Sequence, residues 1–198
     1  MGKYEDMEHP VVKFNQWWKV ALDNTPLKQK NAVCVSTVDS DGFPAGRFVD
    51  LKAVSEKGFT FCTYLDSKKG VEISANSKIA MTVWWDHVGY QVRVTGFALS
   101  LSEKDATRFW ESRSRDAQLT TICSLQSQIL ESEEVLQEQL LTAREKFSSE
   151  EIPKPNNWGG FTIQPISIEF LTFNDNKLHL RELFEFNNGE WNKRLLQP

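Results

Sequence analysis

Glycine-rich phosphate loops are missing. The 198-residue chain has ten glycines, yet no GxGxxG and no Walker A pattern. A nucleotide phosphate would therefore have to be held by side chains rather than by a glycine-lined loop. Cysteine and histidine are scarce. Cys34, Cys62 and Cys123 are too widely spaced for a disulfide framework or a metal-ligand pair, and His9, His87 and His179 add no zinc ligand set. Apolar runs such as Ile79–Trp85 fall far short of the roughly 18–20 residues that a membrane span needs. The opening Met-Gly-Lys-Tyr-Glu-Asp lacks the apolar core of a secretory signal, so a cytoplasmic protein with no membrane partner is expected. A basic surplus is absent as well: net charge is −4 and the pI is near 5.5, which argues against nucleic-acid binding. Seven glutamates in residues 131–151, against Arg144 and Lys146 alone, account for that charge. The remainder is nearly neutral and leaves room for a local cationic pocket.

No repeat, low-complexity tract or linker divides the chain, so one domain over residues 1–198 is expected. Val11, Phe14, Trp18 and Ala21/Leu22 follow helical spacing and predict an amphipathic N-terminal helix. Runs rich in β-formers follow at Ala32–Val38, Gly46–Val54, Phe59–Tyr64, Ile79–Trp85 and Tyr90–Leu101. Asp39-Ser40-Asp41-Gly42-Phe43-Pro44 and Lys57-Gly58 punctuate them as turns. A short helix is predicted from Ser67 to Asn76, with Asp66 or Ser67 as N-cap. Ser102 followed by Asp105 opens another, carrying Ala106, Phe109 and Trp110. A third runs from Glu131 to Phe147 and ends at Pro153-Lys154-Pro155. Strands return at Phe161–Ile163, Ser167–Phe173, Lys177–Phe186 and Trp191–Leu196, the last two joined by an Asn188-Gly189 hairpin. Short turns between strands indicate antiparallel pairing, and no strand–helix alternation supports a doubly wound sheet. The expected fold is mainly β with peripheral α-helices, arranged as a small barrel; periodicity alone leaves its closure open.

Candidate anion-binding residues are few enough to name. Arg47 and Lys52 share a predicted strand. Lys68 and Lys69 open a predicted helix beside Ser67, where free N–H groups and ammonium groups favour phosphate together. Arg113 and Arg115 follow the Phe109-Trp110 helix. Strand alternation would place Lys177, His179 and Arg181 on one face, and three cations there repel unless an anion or carboxylate meets them. Solvated surface cations are the ordinary alternative for all of these. Gln91, Gln126 and Ser127 receive no role from composition.

The ordered segments Asn31-Ala32, Arg47-Phe48-Val49-Asp50-Leu51-Lys52, Ser67-Lys68-Lys69, Gln91-Val92-Arg93-Val94-Thr95-Gly96, Ser112-Arg113-Ser114-Arg115-Asp116, Gln126-Ser127, Trp158-Gly159-Gly160-Phe161, Ile168-Glu169-Phe170 and Leu178-His179-Leu180-Arg181 resemble the pyridoxamine 5′-phosphate oxidases. The resemblance runs from about Asn31 to Pro198. It implies an FMN-binding split β-barrel, antiparallel, forming a homodimer with FMN at the subunit interface. It further implies an oxidase that converts pyridoxamine 5′-phosphate or pyridoxine 5′-phosphate to pyridoxal 5′-phosphate, with molecular oxygen as acceptor and hydrogen peroxide as product. The flavin phosphate would meet Arg47, Lys68, Lys69 and Ser127, with Thr63 nearby, and Lys52 would also border the cofactor. Gln91, Gln126 and Arg181 would contact the flavin or its ribityl chain. The substrate phosphate would meet Lys52 and Arg113, while Lys177 and His179 would border the substrate ring, His179 as the catalytic orienting group.

The chain departs from the family's pattern at several of these places. Phe109 stands where a tyrosine hydroxyl is usual and Ala117 where a serine is usual. Lys177 replaces a ring-clamping arginine, Lys68 another arginine, Cys62 a tyrosine and Leu171 a tryptophan. Lysine keeps the charge but loses the two-pronged guanidinium. The departures keep two alternatives in play: a related flavin oxidase acting on another, unphosphorylated reduced heterocycle, and a non-catalytic FMN or pyridoxal-phosphate binding protein.

Overall fold

A computed structural model of the chain describes residues 9–23 and 25–198. Among the described residues eight strands form one antiparallel sheet: β1 (Ala32–Val38), β2 (Pro44–Ser55), β3 (Gly58–Tyr64), β4 (Lys78–Trp85), β5 (Tyr90–Ser100), β6 (Trp158–Thr172), β7 (Leu180–Asn187) and β8 (Glu190–Leu196). Their order is β3-β2-β1-β4-β5-β6-β7-β8, and β3 also pairs with β6. That extra pairing closes the first six into a barrel and leaves β7–β8 as a hairpin extending from β6.

The closing seam depends on close backbone approach. Gly160 pairs with Cys62 across it, and a Cβ at Gly160 would lie 2.3 Å from the Phe61 carbonyl oxygen. The predicted Phe161–Ile163 and Ser167–Phe173 strands prove to be one continuous strand. Pro165, which breaks the pattern in sequence, is accommodated where the β5–β6 register shifts between Thr95 and Gly96.

Alternate residues fill the barrel. Val33, Val35, Met81, Val83, Val92 and Val94 are buried together, and Phe14 of α1 (Pro10–Asp23) closes the core against Phe59 and Trp85. Burial of Phe14 is complete, so the apolar face predicted at the N-terminus is spent on the barrel. The other helices lie outside: α2 (Lys68–Ala75), α3 (Glu103–Glu111), α4 (Arg115–Ile122) and α5 (Glu133–Lys146). Tyr64, Trp110, Leu119, Ala143, Ile152 and Trp158 form a second apolar cluster beneath them. Ser67 and Ser102 cap their helices as expected, each accepting a backbone N–H of the first turn; the helix expected from Glu131 instead starts at Glu133, capped by Ser132. Helix α4 was not foreseen; its Ser114 cap accepts the Ala117 N–H, but its apolar residues follow no clear helical stripe.

Candidate active site

A bulge sets the site's first cation. Leu51 pairs with Phe61 and Ala53 with Thr60, which leaves Lys52 as the extra residue on β2. Lys52 pairs with Asp50. On the neighbouring strand Cys62 faces a cavity of about 310 Å³, whose lining includes Asp50, Thr63, Lys69, Arg113, Thr121 and Gln126. Burial pushes the Cys62 thiol up to about 11, while Lys52 and Arg113 both pull in the opposite direction. Arg113, from the α3–α4 connection, lines the cavity together with Cys62, and Lys52 reaches it through its pairing with Asp50.

A second cation group adjoins it. Lys69 is buried in the first turn of α2, and its Nζ donates to Thr63 Oγ1 (2.9 Å), Ser67 Oγ (3.0 Å) and Gln126 Oε1 (2.8 Å). Burial, then the nearby Arg47 guanidinium, lowers its titration from 10.5 to about 8; Glu72 opposes them. Arg47 Nη2 meets Glu72 Oε2 at 2.8 Å, and the guanidinium also donates to Thr37. Ser127, held in the left-handed region at φ 73°, reaches the same helix end and accepts the Lys68 N–H at 3.1 Å. Two partly desolvated cations beside the N-terminus of α2 thus have one carboxylate near them, Glu72, whose Oε1 is buried without a partner. This surplus of positive charge fits a phosphate group such as that of FMN.

The structure gathers Thr63, Lys69, Gln126 and Arg113 at one cavity and ties Lys52 to it through Asp50, while Arg47, Lys68 and Ser127 gather along α2 outside that lining. It does not bring Gln91, Lys177, His179 or Arg181 to that lining. Gln91 lies on β5 opposite Leu171. Arg181 is bound by Glu169, at 2.9 Å through Nε and 2.8 Å through Nη2. The expectation that Lys177, His179 and Arg181 share a strand face is corrected: β7 starts at Leu180, and Lys177 sits in a turn at φ 65°. The Asn174-Asp175-Asn176 run forms that turn, with Asn176 Oδ1 accepting the Leu178 N–H and His179 Nδ1 accepting the Asn174 N–H. His179 also stands edge-on to Phe173.

Residues that sequence reasoning missed include Glu72, Tyr64 and Thr121. Glu72 and Thr121 carried the ordinary signals of helix-surface residues, yet both are buried. Two larger cavities, of about 550 and 650 Å³, lie beside α3–α5; of the candidate cations only Arg115 lines either of them.

A closed six-stranded antiparallel barrel with this cation-lined rim defines the FMN-binding split-barrel class. Residues 24–146 match the family described as pyridoxamine 5′-phosphate oxidase, and residues 158–198 match the pyridoxine 5′-phosphate oxidase C-terminal dimerisation region. The chain belongs to the pyridoxamine 5′-phosphate oxidase family and is an enzyme of the flavin oxidoreductase type. Relatives named pyridoxine/pyridoxamine 5′-phosphate oxidase include one from Vibrio parahaemolyticus, 38% identical over 96% of this chain and 89% of its own length. Another, from Nostoc punctiforme, is 35% identical over the same shares. Among solved structures, PhzG from Burkholderia lata, in complex with tetrahydrophenazine-1-carboxylic acid, superposes with a TM-score of 0.91 at 25% identity, covering 98% of this chain and 95% of its own. A pyridoxamine 5′-phosphate oxidase-related, FMN binding protein from Nostoc punctiforme shares the fold at a TM-score of 0.77 and 16% identity, covering 98% and 100%.

Proposed function

We propose that this single-domain chain is an FMN-dependent oxidase, cytoplasmic and homodimeric, that converts pyridoxamine 5′-phosphate or pyridoxine 5′-phosphate to pyridoxal 5′-phosphate. One observation carries the reading: Arg113 and Lys69 line one cavity, with Lys52 paired to its Asp50 and Arg47 close enough to Lys69 to lower its titration, so that positive charge stands ready for two phosphates. FMN, when bound, would supply the redox chemistry, with oxygen as the final acceptor and hydrogen peroxide as the product. The protein supplies charge and position. Arg47, Lys68, Lys69 and Ser127 hold the cofactor phosphate beside Thr63. Gln91, Gln126 and Arg181 orient the flavin or its ribityl chain, while Lys52 and Arg113 hold the substrate phosphate. His179 and Lys177 border the substrate ring. Since Gln91, Lys177, His179 and Arg181 are absent from the cavity lining, the reading assigns them to the site completed by a second protomer through residues 158–198. Anaerobic addition of each vitamer phosphate to the flavin-loaded protein tests the assignment: bleaching of the flavin absorbance supports it, and an unchanged spectrum with every vitamer refutes it.

A second reading, oxidation of an unphosphorylated reduced heterocycle, is favoured by the absence of hydroxyls at Phe109 and Ala117. The close superposition on PhzG, seen with a carboxylated tricyclic ligand, points the same way. Equal kcat/KM for a substrate and its phosphate ester would favour this reading over the first.

A further inference from the structure

Of the seven tryptophans, Trp84 alone is exposed, at 63%. Among the described residues the other six each meet another ring, and Trp84 meets none. Val83 and Trp85 beside it are both buried in the barrel, so strand alternation turns the Trp84 indole outward. An indole left bare on a sheet face is a large apolar surface that something outside the protomer is expected to cover.

The strand register says what lies beside it. Trp84 pairs with Gln91 on β5, Gln91 with Leu171 on β6, and Leu171 with Arg181 on β7. Trp85, Val92, Phe170 and Glu182, one residue along each strand, are buried on the core side. The four side chains of the row therefore stand together on the outer face. Directly paired residues are neighbours at about 5 Å, and three interstrand steps carry the row across about 14 Å. Glu169 fixes Arg181 at its far end. Leu171 and Arg181 belong to the C-terminal dimerisation region, so the row continues that surface onto β5 and β4. An indole and an aliphatic chain with one amide and one guanidinium suit a planar heteroaromatic ring: the apolar groups take its face and the polar ones its edge. Leu171 offers such a ring no aromatic contact, which leaves Trp84 as the aromatic of the row.

We propose that Trp84 is a cofactor-contacting residue, its indole lying against the flavin ring when a second protomer completes the site. The proposal rests on the reading that Gln91 and Arg181 orient the flavin, and it extends that contact along the row to β4.

The test compares wild type, Trp84→Phe and Trp84→Ala as FMN-loaded protein, freed of excess FMN and checked for the dimer by sedimentation. Indole in contact with a flavin ring quenches its emission, whereas a phenyl ring does not. Emission per bound FMN is therefore expected to rise severalfold in both variants. FMN affinity should stay within about threefold in Trp84→Phe, which keeps a ring, and fall about tenfold in Trp84→Ala, the scale of one ring stacked on an aromatic side chain. Unchanged emission in dimeric Trp84→Phe overturns the proposal, whatever Trp84→Ala does. Loss of the dimer in both variants makes Trp84 an interface anchor and overturns it too. The underlying reading fails in a different place: wild-type protein that retains no FMN, or retains it as a monomer, refutes that reading before any variant is compared.

Discussion

Lys69 offers the sharpest test of the cofactor pocket. Its ammonium is buried, makes three hydrogen bonds of 2.8–3.0 Å, and titrates near 8 because burial and Arg47 disfavour its charge. A phosphate at this place reverses that balance: it favours the protonated form and raises the titration point again. FMN affinity should therefore be level below about pH 8 and fall as pH rises through the free protein's value, by up to roughly tenfold per pH unit. Lys69→Ala removes one charge-assisted contact, worth about 1.5–3 kcal/mol, or roughly ten- to hundredfold in Kd. It should also flatten the pH dependence. The apoprotein carries the opposite signature. In the unfolded chain this lysine titrates near its ordinary 10.5, so the unfolded state holds more protons between about 8 and 10.5. Apoprotein stability should therefore rise with pH across that window, and Lys69→Ala should lose that increment. Quenching of FMN fluorescence during titration from pH 7 to 9.5, with chemical denaturation of the apoprotein, reads both effects. Tight, pH-independent binding by the Lys69→Ala variant would refute the reasoning.

Four other outcomes are expected. His179→Ala should lower turnover at least about tenfold while leaving flavin absorbance intact and the melting temperature nearly unchanged; unaltered steady-state rates would make it a surface histidine. Phe109→Tyr with Ala117→Ser restores two hydroxyls and should lower the KM for pyridoxamine 5′-phosphate, whereas Arg113→Ala should raise it; identical values in all three would remove the phosphate from this pocket. Cys62, with its thiol pushed from 9.0 up to about 11, should hold roughly a hundredfold less thiolate at neutral pH than an ordinary cysteine. Peptide mass spectrometry after brief iodoacetamide treatment at pH 7.5 should therefore find it largely unlabelled. Gly160→Ala forces a Cβ to 2.3 Å from the Phe61 carbonyl oxygen and should cost about 1–3 kcal/mol in urea denaturation; full stability would mean that the β3–β6 seam has room to spare.

The fold was legible where one physical signal dominated. Alternation marked β1, β4 and β5 because one side of each faces a packed barrel interior and the other does not. The Asn188-Gly189 pair adopts left-handed conformations at φ 53° and 87°, as the hairpin between β7 and β8 requires. Other elements carried competing signals. Pro165 divided β6 in sequence, yet the register shift in the β5–β6 pairing absorbs it. Helix α4 spends its short length on Leu119 and Thr121, one apolar residue and one buried hydroxyl, so its burial leaves no apolar period.

The site was legible by residue type and far less so by arrangement. Local spacing placed Lys68 and Lys69 at a helix start because a capping serine leaves a local trace. It misplaced Lys177 and His179, where two asparagines and an aspartate outweigh the alternating pattern and turn the chain before β7. Local spacing does not tell Arg113 from Arg115; only the family resemblance singled out Arg113. Arg113 enters the pocket between two tryptophans and spends one nitrogen on Ala117 and Thr121, whereas Arg115 donates outward to the carbonyls of Phe147 and Glu150. That difference depends on where α4 packs, which brings Ala117 and Thr121 to Arg113. The charge needed to attract an anion can thus be read from composition and order. Which of the cations reach a common cavity is decided by tertiary partners, and those leave no trace in the net charge of −4.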